Sequence, residues 1–142
     1  MTSQLNVDTI VDKAGSGGTN VKIANTSTYV GEGGGGTQNT VQGLVKSWIN
    51  HDQATVSDSH NVASLTDNST GDYGTNFTNN MGNANYSAGG LGVHDGGAYT
   101  RIQNYDHDDP FTTAQGTINI QDTDGTQQDA EPVCTIYIGD LA

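Results

Sequence analysis

Residues 104 to 111, "NYDHDDPF", set Asp106, His107, Asp108 and Asp109 side by side. Carboxylate oxygens suit Ca²⁺, and an imidazole turned inward among them would suit a transition metal. Consecutive loop residues do not all point one way, so the simpler expectation is a solvated acidic turn closed by Pro110. If a metal binds, Asp106, His107 and Asp108 are its ligands, and repetition of the loop around the axis of a trimer would supply each of them three times.

A second stretch, "IQDTDGTQQDAE" (120 to 131), mimics a calcium loop, with Asp122 and Asp124 at its third and fifth positions, Gly125 at the turn and Glu131 at the twelfth. Its first position is Ile120 where an Asp is needed, and a β-branched strand precedes it instead of a helix. A "DG" hairpin turn between two strands accounts for the same residues. Asp58, Ser59 and His60 contain the residue types of a hydrolase relay, but neighbours on a strand alternate faces and cannot form one. Paired carboxylates for glycoside cleavage need a cleft that a sequence does not display. The expectation is therefore a protein without catalytic activity.

Tyrosines and amides point to binding instead. Tyr86, Tyr99, Tyr105 and Tyr137 offer faces for sugar rings, and nearby Asn, Gln and Asp side chains offer hydrogen bonds to hydroxyls. Some of these rings will simply pack. Because function collects on loops held by a rigid scaffold, the loops "LGVHDGGAY" and "QNYDHDDPF" are the expected recognition surface. His94, Asp95, Tyr99, Tyr105, Asp106, His107 and Asp108 are its residues.

The elements that must hold these loops are strands. The 142 residues are 32% hydrophobic and 14% charged, with 20 glycines. Spaced aromatic and β-branched residues distinguish such a chain from a disordered one. Its core is small, and oligomerisation is a usual remedy for that. Sixteen acidic residues against four basic ones give a net charge of −12, which repels phosphate backbones and excludes nucleic acid as a partner. With a single cysteine, Cys134, neither an internal disulfide nor a cysteine zinc site is possible within one chain. Its strand "VCTIYIG" predicts a buried thiol. No apolar run spans a membrane and no secretory leader stands at the start, so a soluble protein is expected. The four Asn-x-Ser/Thr sequons then carry no weight.

Along the chain, residues 5 to 12 and 21 to 30 read as short strands of an N-terminal arm, residues 1 to 30. The run "GEGGGG" opens a glycine-rich linker, residues 31 to 42; it has no phosphate-loop signature, because Thr37, Gln38 and Asn39 follow Gly36. Residues 43 to 142 then resolve into about seven short strands, the pattern of an antiparallel β-sandwich or jelly roll. The clearest hairpin joins Val62 to Thr66 with Asp72 to Thr78 through "DNSTG". Tyr73, Thr75 and Phe77 share one face of it. Strands are also expected at Leu44 to Asn50, Tyr86 to Val93, Ala98 to Gln103, Thr117 to Gln121 and Val133 to Gly139. Ile118 and Ile120, and then Cys134, Ile136 and Ile138, mark inward faces. The expected core is Trp48, Val62, Leu65, Tyr73, Phe77, Ile118 and Ile136.

The segments "KSWINH" (46 to 51), "SHNVASLTDNSTGDY" (59 to 73) and "NFTNNMGNANY" (76 to 86) resemble the C-terminal domains of tail-fibre and related virion appendage proteins of tailed bacteriophages, especially those of marine bacteria. That group carries "K-x-W-[VI]-x-[FH]", then "S-x-N-V-x-S-[IL]-T-D-N-x-T-G-D-Y", then "[NT]-F-T-x-x-M-x-x-x-N-Y". The opening "LNVDTIVDKAG" is similar to the attachment end of such appendages. One departure is "HDQA" at 51 to 54, where the family has an aromatic residue and a glycine. The resemblance implies a homotrimeric, β-rich, non-enzymatic virion protein, synthesised in the host cytoplasm. Its N-terminal arm would join other virion proteins, and its knob would meet a host surface glycan or protein. A head fibre, capsid decoration or tail-hub protein without receptor binding is the alternative, and a depolymerase a more distant one.

Overall fold

The computed structural model describes residues 27–30, 36–93, 101–105 and 108–141. The chain divides into two compact units, one ending at Val41 and one running from Gln42 to Ala142. Every regular element among the described residues is a β-strand, and every strand pairing is antiparallel.

In the first unit β1 (Thr28–Val30) pairs with β2 (Thr37–Asn39), Tyr29 opposite Gln38, and the Tyr29 hydroxyl donates to Gln38 Oε1 at 2.5 Å. Residues 37–39, which the glycine run places in a linker, are thus a strand. The expected strand at 5 to 12 and most of the one at 21 to 30 lie outside the described residues.

The second unit holds β3 (Val45–Asp52), β4 (Thr55–His60), β5 (Val62–Ser69), β6 (Asp72–Phe77), β7 (Ser87–Gly92), β8 (Ile102–Tyr105), β9 (Gln115–Gln121) and β10 (Val133–Ile138). They form two four-stranded sheets, ordered β4-β3-β10-β7 and β5-β6-β9-β8. The hairpin of β5 and β6 forms as its turn chemistry predicts. Gly71 closes it at φ 71°, where an added Cβ would lie 2.6 Å from the Ile120 carbonyl oxygen, so no other residue fits without a shift of backbone.

The chain leaves the first sheet for the second at Asn61, which takes φ 58° between β4 and β5. Asparagine tolerates this left-handed conformation better than most residues, and here its side chain also fastens the corner. Its Oδ1 accepts from Asn79 N (2.8 Å) and Asn79 Nδ2 (2.9 Å), and its Nδ2 lies 3.1 Å from both Lys46 O and Asn79 O.

The inner faces meet in two apolar clusters. Tyr73, Ile118, Ile120, Ala130 and Val133 form one, with Leu65 packed against it; Phe77, Met81, Tyr86 and Tyr137 form the other, with Phe111 against it. Tyr73, Phe77 and Ile118 are therefore core residues as expected, and Leu65 lies at the core margin. Val62 is only half-buried.

Strand β10 reverses the expectation for its two faces. Val133, Thr135 and Tyr137 are buried, whereas Cys134, Ile136 and Ile138 are exposed, Ile136 by 44%. The Tyr137 ring explains the choice: it reaches across to the other sheet and fills the second cluster, a gain that burying the isoleucine face would forfeit. A one-residue change of parity moves every side chain to the opposite face. Trp48 follows Ile136, its cross-strand partner, onto the outer face and is only partly buried. Ile49, Ser47 and His51 point inward in its place.

The outer face of the second sheet is polar and bonded within itself. Asn76 Nδ2 donates to Ser64 Oγ (3.0 Å) and Thr66 Oγ1 (2.9 Å), Gln115 Nε2 donates to Asn76 Oδ1 (3.0 Å), and Asn104 Nδ2 donates to Gln121 Oε1 (2.8 Å). Gln127 Nε2 adds a bond to Asn119 Oδ1 at 2.7 Å.

Candidate functional site

Edge strands β7 and β8 border a cleft at one side of the knob. Strand β8 carries Gln103 and Tyr105 opposite Ile120 and Ile118 of β9, and so on its inward-facing parity. With no further strand paired beyond it among the described residues, Tyr105 is left 53% exposed. Phe111, just past the acidic turn, stacks on Tyr86 with ring centroids 4.7 Å apart and planes 6° apart. Tyr105 meets the edge of Phe111 at 4.9 Å and 73°. These three rings, with Ser87, Gln103 and Asn104, line a cavity of about 270 Å³.

The rings are fixed from below. The Tyr86 hydroxyl lies 3.0 Å from Thr112 O and 2.7 Å from Gln115 O, which ties the loop after Phe111 to the cleft floor. Burial, together with neighbouring Tyr137 and Tyr105, pushes the Tyr86 phenol above its usual value, so it stays a neutral donor. Gln103 Nε2 donates to Thr135 Oγ1 at 2.5 Å, while its Oε1 is buried with no partner among the described residues. A stacked aromatic pair beside hydroxyls and amides has the chemistry of a ligand-binding surface. Ring faces take the C–H surfaces of a sugar, and polar atoms take its hydroxyls. Ligand pockets usually occupy about 300 to 1,000 Å³, so this cleft suits a single ring or a terminal unit.

Of the residues expected to recognise a ligand, Tyr105 belongs to the cleft, and Asp108 is exposed and does not line it. His94, Asp95, Tyr99, Asp106 and His107 fall outside the described residues. The Asp106, His107 and Asp108 metal set therefore has one described member. Among the described residues no group of three His, Cys, Asp or Glu side chains could hold a metal. Asp109 is engaged with Thr117, whose Oγ1 donates to its Oδ2 at 3.4 Å.

The other motifs are structural in this fold. Asp122 Oδ1 accepts from the backbone N–H of Asp124 (3.0 Å) and of Thr126 (2.9 Å), and Gly125 turns the chain at φ 82°. The "DG" turn is real, but the chain beyond it crosses to the other sheet instead of pairing β10 with β9. Ser59 pairs with Ile49 and His60 with Trp48, on opposite faces of β4, so these two form no relay.

Phe111 and Gln103 are cleft residues that end the expected recognition loop "QNYDHDDPF" but were not singled out within it. Phe111 follows the Pro that closes the acidic turn, and that aromatic-after-turn pattern was the available signal. No helix of the described residues is long and apolar enough to cross a membrane. Compared with known proteins, the chain matches no family model, no curated protein and no solved structure.

Proposed function

We propose that this chain is a non-enzymatic structural protein of a tailed-bacteriophage virion, a short tail fibre or fibre tip that attaches the particle to a host-surface glycan. The observation that carries the proposal is the cleft of Tyr86, Tyr105 and Phe111 between edge strands β7 and β8. The residues of the resemblance support it, because they build the cleft's scaffold: Asn61 turns the sheet corner, Tyr73 and Phe77 fill the core, and Tyr86 is the cleft floor. In this reading residues 43–142 form a jelly-roll-like β-sandwich knob, the N-terminal arm docks on other virion proteins, and the chain assembles as a homotrimer. The net charge of −12 favours neutral or cationic ligands and disfavours anionic ones.

The test is adsorption. Purified full chain, added in excess to host cells, is expected to slow phage attachment and to bind terminal fragments of the host polysaccharide in calorimetry. Unaltered attachment together with antibody labelling on the capsid would instead make it a head fibre or decoration protein.

A further inference from the structure

The polar groups that line the aromatic cleft are unevenly matched. The Tyr86 hydroxyl faces Thr112 O and Gln115 O, Asn104 Nδ2 donates to Gln121 Oε1, and Gln103 Nε2 donates to Thr135 Oγ1. These donors are engaged. The acceptor Gln103 Oε1 is buried at the cleft wall with no partner among the described residues. It occupies room that Gly90 of β7 leaves open, since a Cβ there would meet it. An oxygen already stripped of water loses no hydration when a donor reaches it, so the bond formed is a net gain. Gln103 is only half-buried, and its amide can swing to meet that donor. The cleft lacks a donor.

Charge narrows the choice of donor. Among the described residues no basic side chain lines the cleft; Arg101, two residues before Gln103, is not part of its wall. The net charge of −12 makes a field that gathers cations. Aromatic faces add to it, because their negative charge density attracts an ammonium within about 6 Å of the ring centroid. Tyr105, 53% exposed, stands at the open side of the cleft, where an ammonium would keep part of its water.

We infer that the sugar unit seated in this cleft is a hexosamine with a free amino group, its ring against Tyr105 and its ammonium donating to Gln103 Oε1. Gln103 and Tyr105 share one face of β8. Two residues on a strand lie about 6.7 Å apart, a span that one amino-substituted ring covers. N-acetylation would remove the charge and leave one N–H donor in place of three. A lysine side chain would bring the same ammonium without a ring to lie on Tyr105. The inference rests on the glycan reading of the cleft and adds the chemistry of the unit it holds.

Calorimetry on the full chain tests it with a glucosamine trisaccharide, its fully N-acetylated counterpart, the corresponding glucose trisaccharide and trilysine. The glucosamine probe, with its amines protonated, is expected to bind about tenfold more tightly than each of the others. That preference should shrink as salt is added. Gln103→Met keeps the side-chain length without the acceptor and should bring the glucosamine and glucose probes within about twofold of each other. Gln103→Glu places a charge at the same point and should widen the gap. Equal affinities for the sugar probes, tighter binding of the acetylated one, or trilysine binding as well as glucosamine overturns the inference. So does a preference that neither Gln103 variant alters, or a chain that binds host polysaccharide fragments but not the glucosamine probe; in each case the glycan reading stands. Failure to bind those fragments as well removes the glycan reading beneath it.

Discussion

The hydroxyl of Tyr137, on one sheet, lies 3.0 Å from Oγ1 of Thr75 on the other, with the Gly116 carbonyl oxygen 3.2 Å away. This buried contact couples the two sheets, and Gly116 makes room for it. A Cβ there would come within 2.4 Å of the Tyr137 ring.

Tyr137→Phe should therefore lower stability by about 1 to 2 kcal/mol, the cost of leaving the Thr75 hydroxyl with a buried bond unmade. Gly116→Ala should cost more, about 2 to 3 kcal/mol, because the core must shift to admit the methyl group. Urea midpoints compared at constant slope measure both, and equal midpoints for the two variants would contradict the steric account.

Asn61 offers a separate test at the sheet corner. Asn61→Ala should lose about 2 to 4 kcal/mol, from left-handed strain and from the bonds to Asn79 and Lys46. Asn61→Gly keeps the backbone conformation and should be the milder by about 1 kcal/mol. If glycine were no better than alanine, the strain component would be absent.

His51 makes stability depend on acid. It is fully buried, its Nδ1 is 2.9 Å from Gln53 O, and its Nε2 has no partner among the described residues. The Tyr73 ring meets it edge-on at 4.9 Å. Burial holds its pKa below the ordinary 6.5, against the opposing pull of Gln53 O, Asp52 and Asp67. The unfolded chain thus takes up this proton first, and stability falls as pH drops below about 6.5 towards the lowered folded value. Denaturant midpoints between pH 7.5 and 5 should decrease, and His51→Leu should flatten the decrease.

At the alkaline end the sign reverses. Burial is the main force pushing the phenols of Tyr73, Tyr86 and Tyr137 upward, with Asp129 adding to it at Tyr73. Their contribution is complete below pH 10 and is lost above it, as the unfolded chain ionises first. Absorbance near 295 nm should show that these three of the six tyrosines ionise only in step with loss of the fold.

In the cleft, Tyr105→Ala should weaken binding of a glycan fragment by roughly tenfold, about 1.4 kcal/mol, and leave the unfolding midpoint within about 0.5 kcal/mol because the ring is largely exposed. Unchanged affinity in calorimetry would remove Tyr105 from the site.

How much of this could be read in the sequence depended on whether a strand's two faces differ in kind. Tyr73, Thr75 and Phe77 alternate with Asp72, Gly74 and Asn76, and both the face and the hairpin emerge as expected. In β10 both faces are apolar, so a preference for isoleucine over tyrosine selected the wrong one. Strand β4 was missed because "TVSDSH" is almost wholly exposed and presents no apolar stripe. The cleft depends on Tyr86, Tyr105 and Phe111, which come from three separate segments, and no spacing along the chain announces their meeting. The metal and loop expectations concerned side chains of which only Tyr105 and Asp108 are described.

The side-chain lattice of Asn76, Gln115, Ser64 and Thr66 gives the second sheet a different durability from the first. Amides and hydroxyls neither titrate in the ordinary range nor attract counterions, so neither acidity nor brine weakens their bonds. One side of the knob is in effect finished, a surface whose bonding is spent on itself and which offers a newcomer little to replace. A partner landing on this face would first have to break bonds the sheet already holds, so each new bond gained there starts from a deficit.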